Sequence, residues 1–403
     1  MSTTSTFVIQ YLEDSPRVPG LSPHAIAEKL RSALGRLPIR AVLIGWKLSD
    51  AQIDICAAEC ERAGAALYRW HPLLSGDGVL VPRPAWQTIG LNGAPVPGFG
   101  GMPEFTFMCP NRPAVQEAAL GRVREALAGG RYQGLFLDRM RFPSPAADPE
   151  RALACFCEDC QRVAAHEGLD LAALQAHISG CLSAADRPDH LRSFVRALLD
   201  PACEAECEAL RALLAFRERT ITRFIGGVAQ VIREAGLHVG LDCFSPSLTR
   251  MVGQDLAALR EGAAWVKIMS YAHTLGPAGL PFELLGLADW LVDRYGVPEA
   301  EALRWIGEAT RLPMPETRAA LRDQGLPPAA LYAEARRGAV VRPTALLAGI
   351  ELVEIPGIAH LDDAQIKADV AALREGQADG LALSWDLWEM PLERLDIVRA
   401  AWG

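Results

Sequence analysis

The chain has 403 residues, half of them hydrophobic and 22% charged, with a formal net charge of −9. That length suits two or three average domains or one large barrel with insertions. The acidic balance, with no basic stripe interleaved with aromatics, argues against nucleic acid as a partner. The absence of any run of about 18 uninterrupted apolar residues argues against a membrane span.

Strand-like runs alternate with helical patterns along the chain. The first strand, TFVIQYLED (6–14), follows a start with neither a basic n-region nor an apolar h-region, so a cytoplasmic protein is expected. A helix is expected over 22–35. RAVLIGWKLSD (40–50) is the second strand, with Ser49 or Asp50 capping the next helix. ALYRWHPLL (66–74) is the third, followed by a Gly/Pro-rich loop to about 112 that is too long for a simple turn. NRPAVQEAALGRVREALAGG (111–130) reads as a helix with Pro113 in its first turn and a Gly-Gly stop.

GLFLD, ending at Asp138, is the fourth strand, and an insertion over about 143–205 follows it. A long helix (about 203–236) leads to the fifth strand, HVGLDCFSPS (238–247), and LTRMVGQDLAALREG is read as one helix. AWVKIMSYAHT (264–274) is the sixth strand, separated by a helical insertion over 280–342 from the seventh, TALLAGIELVEIPG (344–357). A capped helix over 362–377 precedes the eighth strand, DGLALSWDLWEMP (379–391), and a short helix ends the chain. Eight βα units with continuously apolar strands predict a single α/β domain over 1–403, a (β/α)8 TIM barrel with long loops after strands three, four and six. A doubly wound sheet would carry a Gly-rich turn after its first strand, and YLEDSPRVPG is not one.

Four apolar strands deliver a carboxylate at their C-terminal ends: Asp138, Asp242, Glu351 and Asp386. Tyr11, Trp46, Trp70, His71, Tyr271, His273, Trp385 and Trp388 lie at equivalent places. A lone strand-end carboxylate is as often a helix cap or an ion-pair partner. Four together at one barrel mouth, among tryptophans on which sugar rings stack, point to glycoside cleavage by paired carboxyls. Asp138 is the expected nucleophile or charge stabiliser, held as a carboxylate by Arg141, with Arg139 a second neighbour. Glu351 is the first choice for general acid/base, Asp242 the second and Glu354 the reserve. Tyr271, His273 and Asp386 are expected to orient hydroxyls, with Trp70 and Trp385 as stacking faces. The substrate class is a carbohydrate, and this chemistry requires no cofactor.

GLFLDRMRFP resembles the G-hydrophobic-hydrophobic-LD-x-x-R-[FY]-P signature of a largely uncharacterised bacterial family of glycoside-hydrolase-like (β/α)8 barrels. CPNRPAVQEAALGRVREAL is similar to the helix before that strand, KIMSYAH to the sixth-strand segment and GIELVEIPG to the seventh. The likeness runs in order from about 105 to 390. It implies a sugar-processing barrel with Asp138 in the site, and leaves the sugar and the acid/base residue open.

CFCEDC places Cys155, Cys157 and Cys160 together, and C-x-x-C is a common half of a structural zinc site. Cys109 belongs to the loop after strand three, which should neighbour the loop after strand four, and is the expected fourth ligand. Cys181 and His166 are rivals, and reduced cysteines on a helix are the plain alternative. Cys56 and Cys60, like Cys203 and Cys207, have helical spacing and read as packing. Two other functions compete with the hydrolase. Lys267, in the sixth strand, could serve as the Schiff base of a class I lyase or aldolase. A barrel that binds carbohydrate without turnover is the other.

Overall fold

The computed structural model describes residues 6–11, 21–45, 47–146, 148–183, 188–203 and 207–403. Strands β1 (Thr6–Tyr11), β2 (Ile39–Ile44), β3 (Ala66–Pro72), β4 (Gly134–Asp138), β5 (His238–Cys243), β6 (Trp265–Ile268), β7 (Ala345–Glu351) and β8 (Gly380–Ser384) close into one parallel barrel. β1 pairs with both β2 and β8. The (β/α)8 architecture expected from alternation is the one found.

Strand alternation sorts the side chains into two layers. Val8, Leu43, Tyr68, Phe136, Trp265 and Leu347 fill the barrel interior, and a much larger apolar cluster lies between the strands and the outer helices. Phe136 stacks on Trp265 with ring centroids 5.0 Å apart. Gly134 and Gly240 make that filling feasible, because a Cβ on either would lie 2.2 Å from the Tyr68 ring or 2.4 Å from the Trp265 ring. Each such buried aromatic contributes about 1.5–3 kcal/mol.

The helices start and stop where short-range chemistry dictates. Ser49 rather than Asp50 caps helix Asp50–Ala63, in a reciprocal box with Gln52, and Gly64 ends it in the left-handed conformation. Asp362 and Gln365 repeat the box at helix Asp363–Glu375. The segment read as one helix over 248–262 is instead broken into a turn at Arg250–Val252 and a short helix Leu256–Leu259. Gly253 interrupts it at φ +80°, and Asp255 restarts it by accepting from the amides of Ala257 and Ala258. Helices Pro149–Ala152, Glu158–His166, Leu171–Ser183 and Pro188–Leu199 lie between β4 and the long helix Glu208–Glu234. Helices Leu280–Asp289, Glu299–Thr310, Arg318–Gln324 and Pro328–Gly338 lie between β6 and β7. None of the described helices is long and apolar enough to cross a membrane.

Candidate active site and cysteine cluster

β4 carries Gly134, Phe136 and Asp138 on its inward face. Asp138 is half-buried at the barrel mouth. Its Oδ2 accepts from the Trp70 indole N–H at 3.0 Å, and its Oδ1 accepts from the backbone N–H of Arg139. Arg139 adopts φ +51°, a left-handed conformation unusual for a residue with a Cβ. Its guanidinium lies over the Trp70 and Phe105 rings, about 5 Å from each centroid. The Trp70 face is therefore covered rather than open for stacking.

Arg141 does not hold Asp138, contrary to the expectation. The turn at Arg139 takes the chain off strand alternation, and Arg141 enters a slot between Phe107 and Phe244, 4.2 and 4.5 Å from their centroids. Burial lowers its pKa to about 10, with Glu283 and Asp138 opposing that fall. The carboxylate thus owes its fixed geometry to an indole and a main-chain amide, not to an ion pair.

Asp242 sits beside this group on the adjacent strand. It is nearly fully buried, and its Oδ2 accepts from Lys267 Nζ at 3.0 Å. Oδ1 has no partner among the described residues. Burial pushes its pKa up to about 7, with the Lys267 charge opposing and the nearby Asp138 adding to the rise. Lys267 also donates to Gln10 Oε1 at 2.9 Å. Gln10 and Ser384 are hydrogen-bonded, and Ser384 Oγ accepts from the Tyr271 hydroxyl at 2.9 Å. A buried polar chain therefore crosses the barrel from Tyr271 to Asp242. For Lys267, burial alone would lower the pKa, but Asp242 and Tyr271 carry it above its ordinary value. A Schiff-base lysine needs the opposite shift.

The β7–β8 side is built differently. Glu351 is also buried, but its Oε1 accepts from the His273 amide at 2.6 Å. Burial raises its pKa to about 7, and its charged neighbours are His273 and Asp369. His273 is bound on both ring nitrogens, to the Gln324 carbonyl at 3.0 Å and to Asp369 at 2.9 Å. Burial would lower its pKa, yet Asp369 and Glu351 bring it up to about 9. Neither His273 nor Tyr271 is left to orient a hydroxyl. Glu354 pairs with His360 and Arg394 on the outer loop. Asp386 caps the turn Leu387–Glu389 by accepting from the Trp388 amide at 3.0 Å. Trp385 is half-buried and meets Tyr271 edge-on at 6.1 Å.

Two other expected binding residues face away from the interior. Tyr11 and His71 fall on the outward parity of β1 and β3 and pack among residues between strands and helices. Burial, and next the charge of Arg69, bring the His71 pKa down to about 3, so the ring is neutral. Trp46 lies outside the described residues.

The loops after β3, β4 and β6 line a cleft of about 210 Å³. Phe99, Phe105, Phe107 and Phe282 form its walls, and Arg141, Ser144 and Glu283 supply polar groups. Glu283 is 2% exposed, and its carboxyl accepts from the Ser144 hydroxyl and the Ala278 amide. Sequence reasoning passed over Glu283, Ser144, Gln10 and Ser384. A lone polar residue inside an apolar run (Gln10 in TFVIQY, Ser384 in LALSW, Glu283 in LPFELL) was the available signal.

The cysteines assemble as the spacing suggested. The sulfurs of Cys109, Cys155, Cys157 and Cys160 lie within 4.8 Å of one another, and all four residues are buried. Cys109 is 3.4 Å from Cys160 and 3.6 Å from Cys157, near the edge of about 3.8 Å that follows from Zn–S bonds of about 2.3 Å. Cys155 accepts from the Ile89 amide and Cys160 from the Asn111 side chain. Gly90 lets the two loops meet, since a Cβ there would lie 1.8 Å from the Arg151 carbonyl. Of the rivals, His166 is exposed at a helix end, and Cys181 has Cys207 as its neighbour.

The donor set also fits a metal by charge. Arg217, fully buried on the long helix, has Nε and Nη1 without partners among the described residues. Asn111 joins Cys160 to Thr220, one turn along that helix, and Cys155 and Cys160 are among the acidic groups that act on Arg217. A buried cation of this kind needs an anion nearby. Four thiolates on a divalent metal carry two net negative charges, whereas four thiols carry none.

No protein-family model matches the chain, and neither does any curated protein. Among solved structures, the chain is similar to the PgaB (BpsB) glycoside hydrolase domain from Bordetella bronchiseptica, at 12% identity over 98% of this chain and 95% of that one, with a TM-score of 0.50. It is also similar to a β-galactosidase from the Antarctic haloarchaeon Halorubrum lacusprofundi, at 13% identity over 98% of this chain and 57% of that one, TM-score 0.58. A β-galactosidase from the psychrophilic Marinomonas ef1 gives 11% identity over 98% and 59%, TM-score 0.55. The resemblance to glycoside-hydrolase-like barrels is borne out at the level of fold.

Proposed function

We propose that the protein is a glycoside hydrolase whose reaction centre is the pair Asp138 and Asp242. The observation that carries this is the contrast between two neighbouring carboxyls. Asp138 is half-buried and fixed by hydrogen bonds from the Trp70 indole and the Arg139 amide, while Asp242 is enclosed and burial pushes its pKa up to about 7. Neighbouring acids in such unequal surroundings can divide the work of a nucleophile and a proton donor. Asp138 attacks or stabilises the oxocarbenium-like centre. Asp242 supplies the proton to the leaving oxygen. Glu351, the first choice from sequence, accepts from the His273 amide and has His273 and Asp369 as its charged neighbours, which favours a supporting role.

Cys109, Cys155, Cys157 and Cys160 hold a structural Zn²⁺ in this reading. The ion would tie the loop after β3 to the loop after β4, the two loops that also wall the cleft. None of the ten cysteines forms a disulfide, which supports a reducing, cytoplasmic setting and an intracellular oligosaccharide or glycoside as substrate.

The test is a panel of aryl glycosides assayed with the parent protein and with Asp138→Asn. The variant should fold, and turnover should fall by about a thousandfold or more. Turnover near that of the parent would place the site elsewhere. Sugar binding by the parent with no hydrolysis of any glycoside would favour the binding-only barrel.

A further inference from the structure

We propose that the cleft lined by Arg141 is a subsite for a sugar carboxylate, so that the substrate is a uronic-acid glycoside. The inference rests on the hydrolase reading for its reaction and adds the class of sugar.

Arg141 is 5% exposed and lines the cleft. Phe107 and Phe244 hold its guanidinium between their rings and fix its plane. Among the described residues, it has one hydrogen-bond acceptor, the carbonyl of Phe142 at 3.2 Å from Nη1. None of its nitrogens is both sealed from solvent and without a partner, so the remaining donors are reachable from the cleft. No carboxylate among the described residues lies within ion-pairing distance of it.

The acids nearby are occupied. Glu283 accepts from Ser144 and from the Ala278 amide, and Asp148 caps its own short helix by accepting from the Arg151 amide at 3.1 Å. Arg151 adds a second cation to the lining. What the site lacks is a planar acceptor for a rigid, preorganised guanidinium, and a carboxylate matches that fork with two parallel hydrogen bonds. The phenylalanine walls suit the C–H faces of one pyranose ring, and the cleft volume is that of a single-ring subsite. A neutral hexose would fit the walls but offer no paired acceptor to the guanidinium donors, which is a basis for rejecting it.

The experiment compares 4-nitrophenyl glucuronides and galacturonides with the corresponding glucosides and galactosides, in both anomers. A uronide should show kcat/KM about tenfold or more above its parent hexoside. Arg141→Gln should abolish that preference, and Arg141→Lys should retain part of it. Because either change could loosen the aromatic slot, free glucuronate and glucose are also tested by thermal shift on Asp138→Asn, which leaves Arg141 intact. Glucuronate alone should raise Tm. Hydrolysis of hexosides at an equal or higher rate overturns the carboxylate subsite and leaves the hydrolase. Stabilisation by glucuronate with no hydrolysis of any glycoside keeps the subsite and overturns the hydrolase. Neither hydrolysis nor stabilisation overturns both.

Discussion

The two sides of the barrel mouth use one strand pattern for two purposes. On β4 and β5, an apolar run ends in Asp138 or Asp242, and the two carboxyls become neighbours with unequal surroundings. On β7 and β8, equally apolar runs end in Glu351 and near Asp386, and both carboxyls are taken up by the scaffold. Glu351 is bound by the His273 amide beside the His273–Asp369 pair, and Asp386 caps a turn. The difference lies in what packs next to each strand end. The β4 side faces a cleft whose loops carry phenylalanines and Arg141. The β7 side faces helix Asp363–Glu375, which presents Asp369 to His273. A strand-end carboxylate thus takes its surroundings from what packs beside it, not from the strand pattern.

Beyond the loss expected for Asp138→Asn, the sharpest test of this contrast is kinetic. Asp242→Asn should lower kcat by about a hundredfold or more on glycosides with poor leaving groups, and much less on activated aryl glycosides. Glu351→Gln should change kcat less than about tenfold. Equal losses in steady-state assays would erase the distinction between the two sides.

Next in size are effects on stability confined to the β4 side. Cys157→Ser, or stripping metal with a chelator, should lower stability by about 3 kcal/mol or more, because binding free energy at a structural site is folding free energy. Atomic absorption of protein purified without chelator should give close to one zinc per chain. Lys267→Met should push the Asp242 carboxyl further toward its protonated form and cost less than the ~3–5 kcal/mol of a stranded buried charge. Denaturant titration at neutral pH measures it.

The last expected effect is a pH slope shared by both sides. Unfolded, Asp242 and Glu351 lose their protons near pH 4, whereas folded they hold them to about 7. The native state therefore binds more protons between pH 4 and 7, and stability falls as pH rises through that window, by at most about 1.4 kcal/mol per pH unit for each group. Asp242→Asn should remove about half of this slope, and Glu351→Gln the other half. A slope unchanged by either substitution would mean that the raised affinities lie elsewhere.

Much of the fold could be read without coordinates, because its causes are local. The alternation of apolar runs with capped helices is set by hydrogen-bond geometry over a few residues, and Ser49, Asp362 and the Gly-Gly stop after 128 act within one turn. Gly253 and Asp255 broke one expected helix by equally local means. The sequence by itself also determined that Asp138 ends an interior strand and that three cysteines share one loop. Tertiary structure decided the rest. It placed Arg141 between two rings 34 residues before and 103 residues after it, Phe107 and Phe244, instead of on Asp138. It linked Gln10 to Lys267 and Ser384, residues from three strands far apart in the chain, and brought Glu283 to the cleft. Ionisation and charge partnership depend on distance and burial in space. No sequence spacing records either quantity for groups carried by different strands.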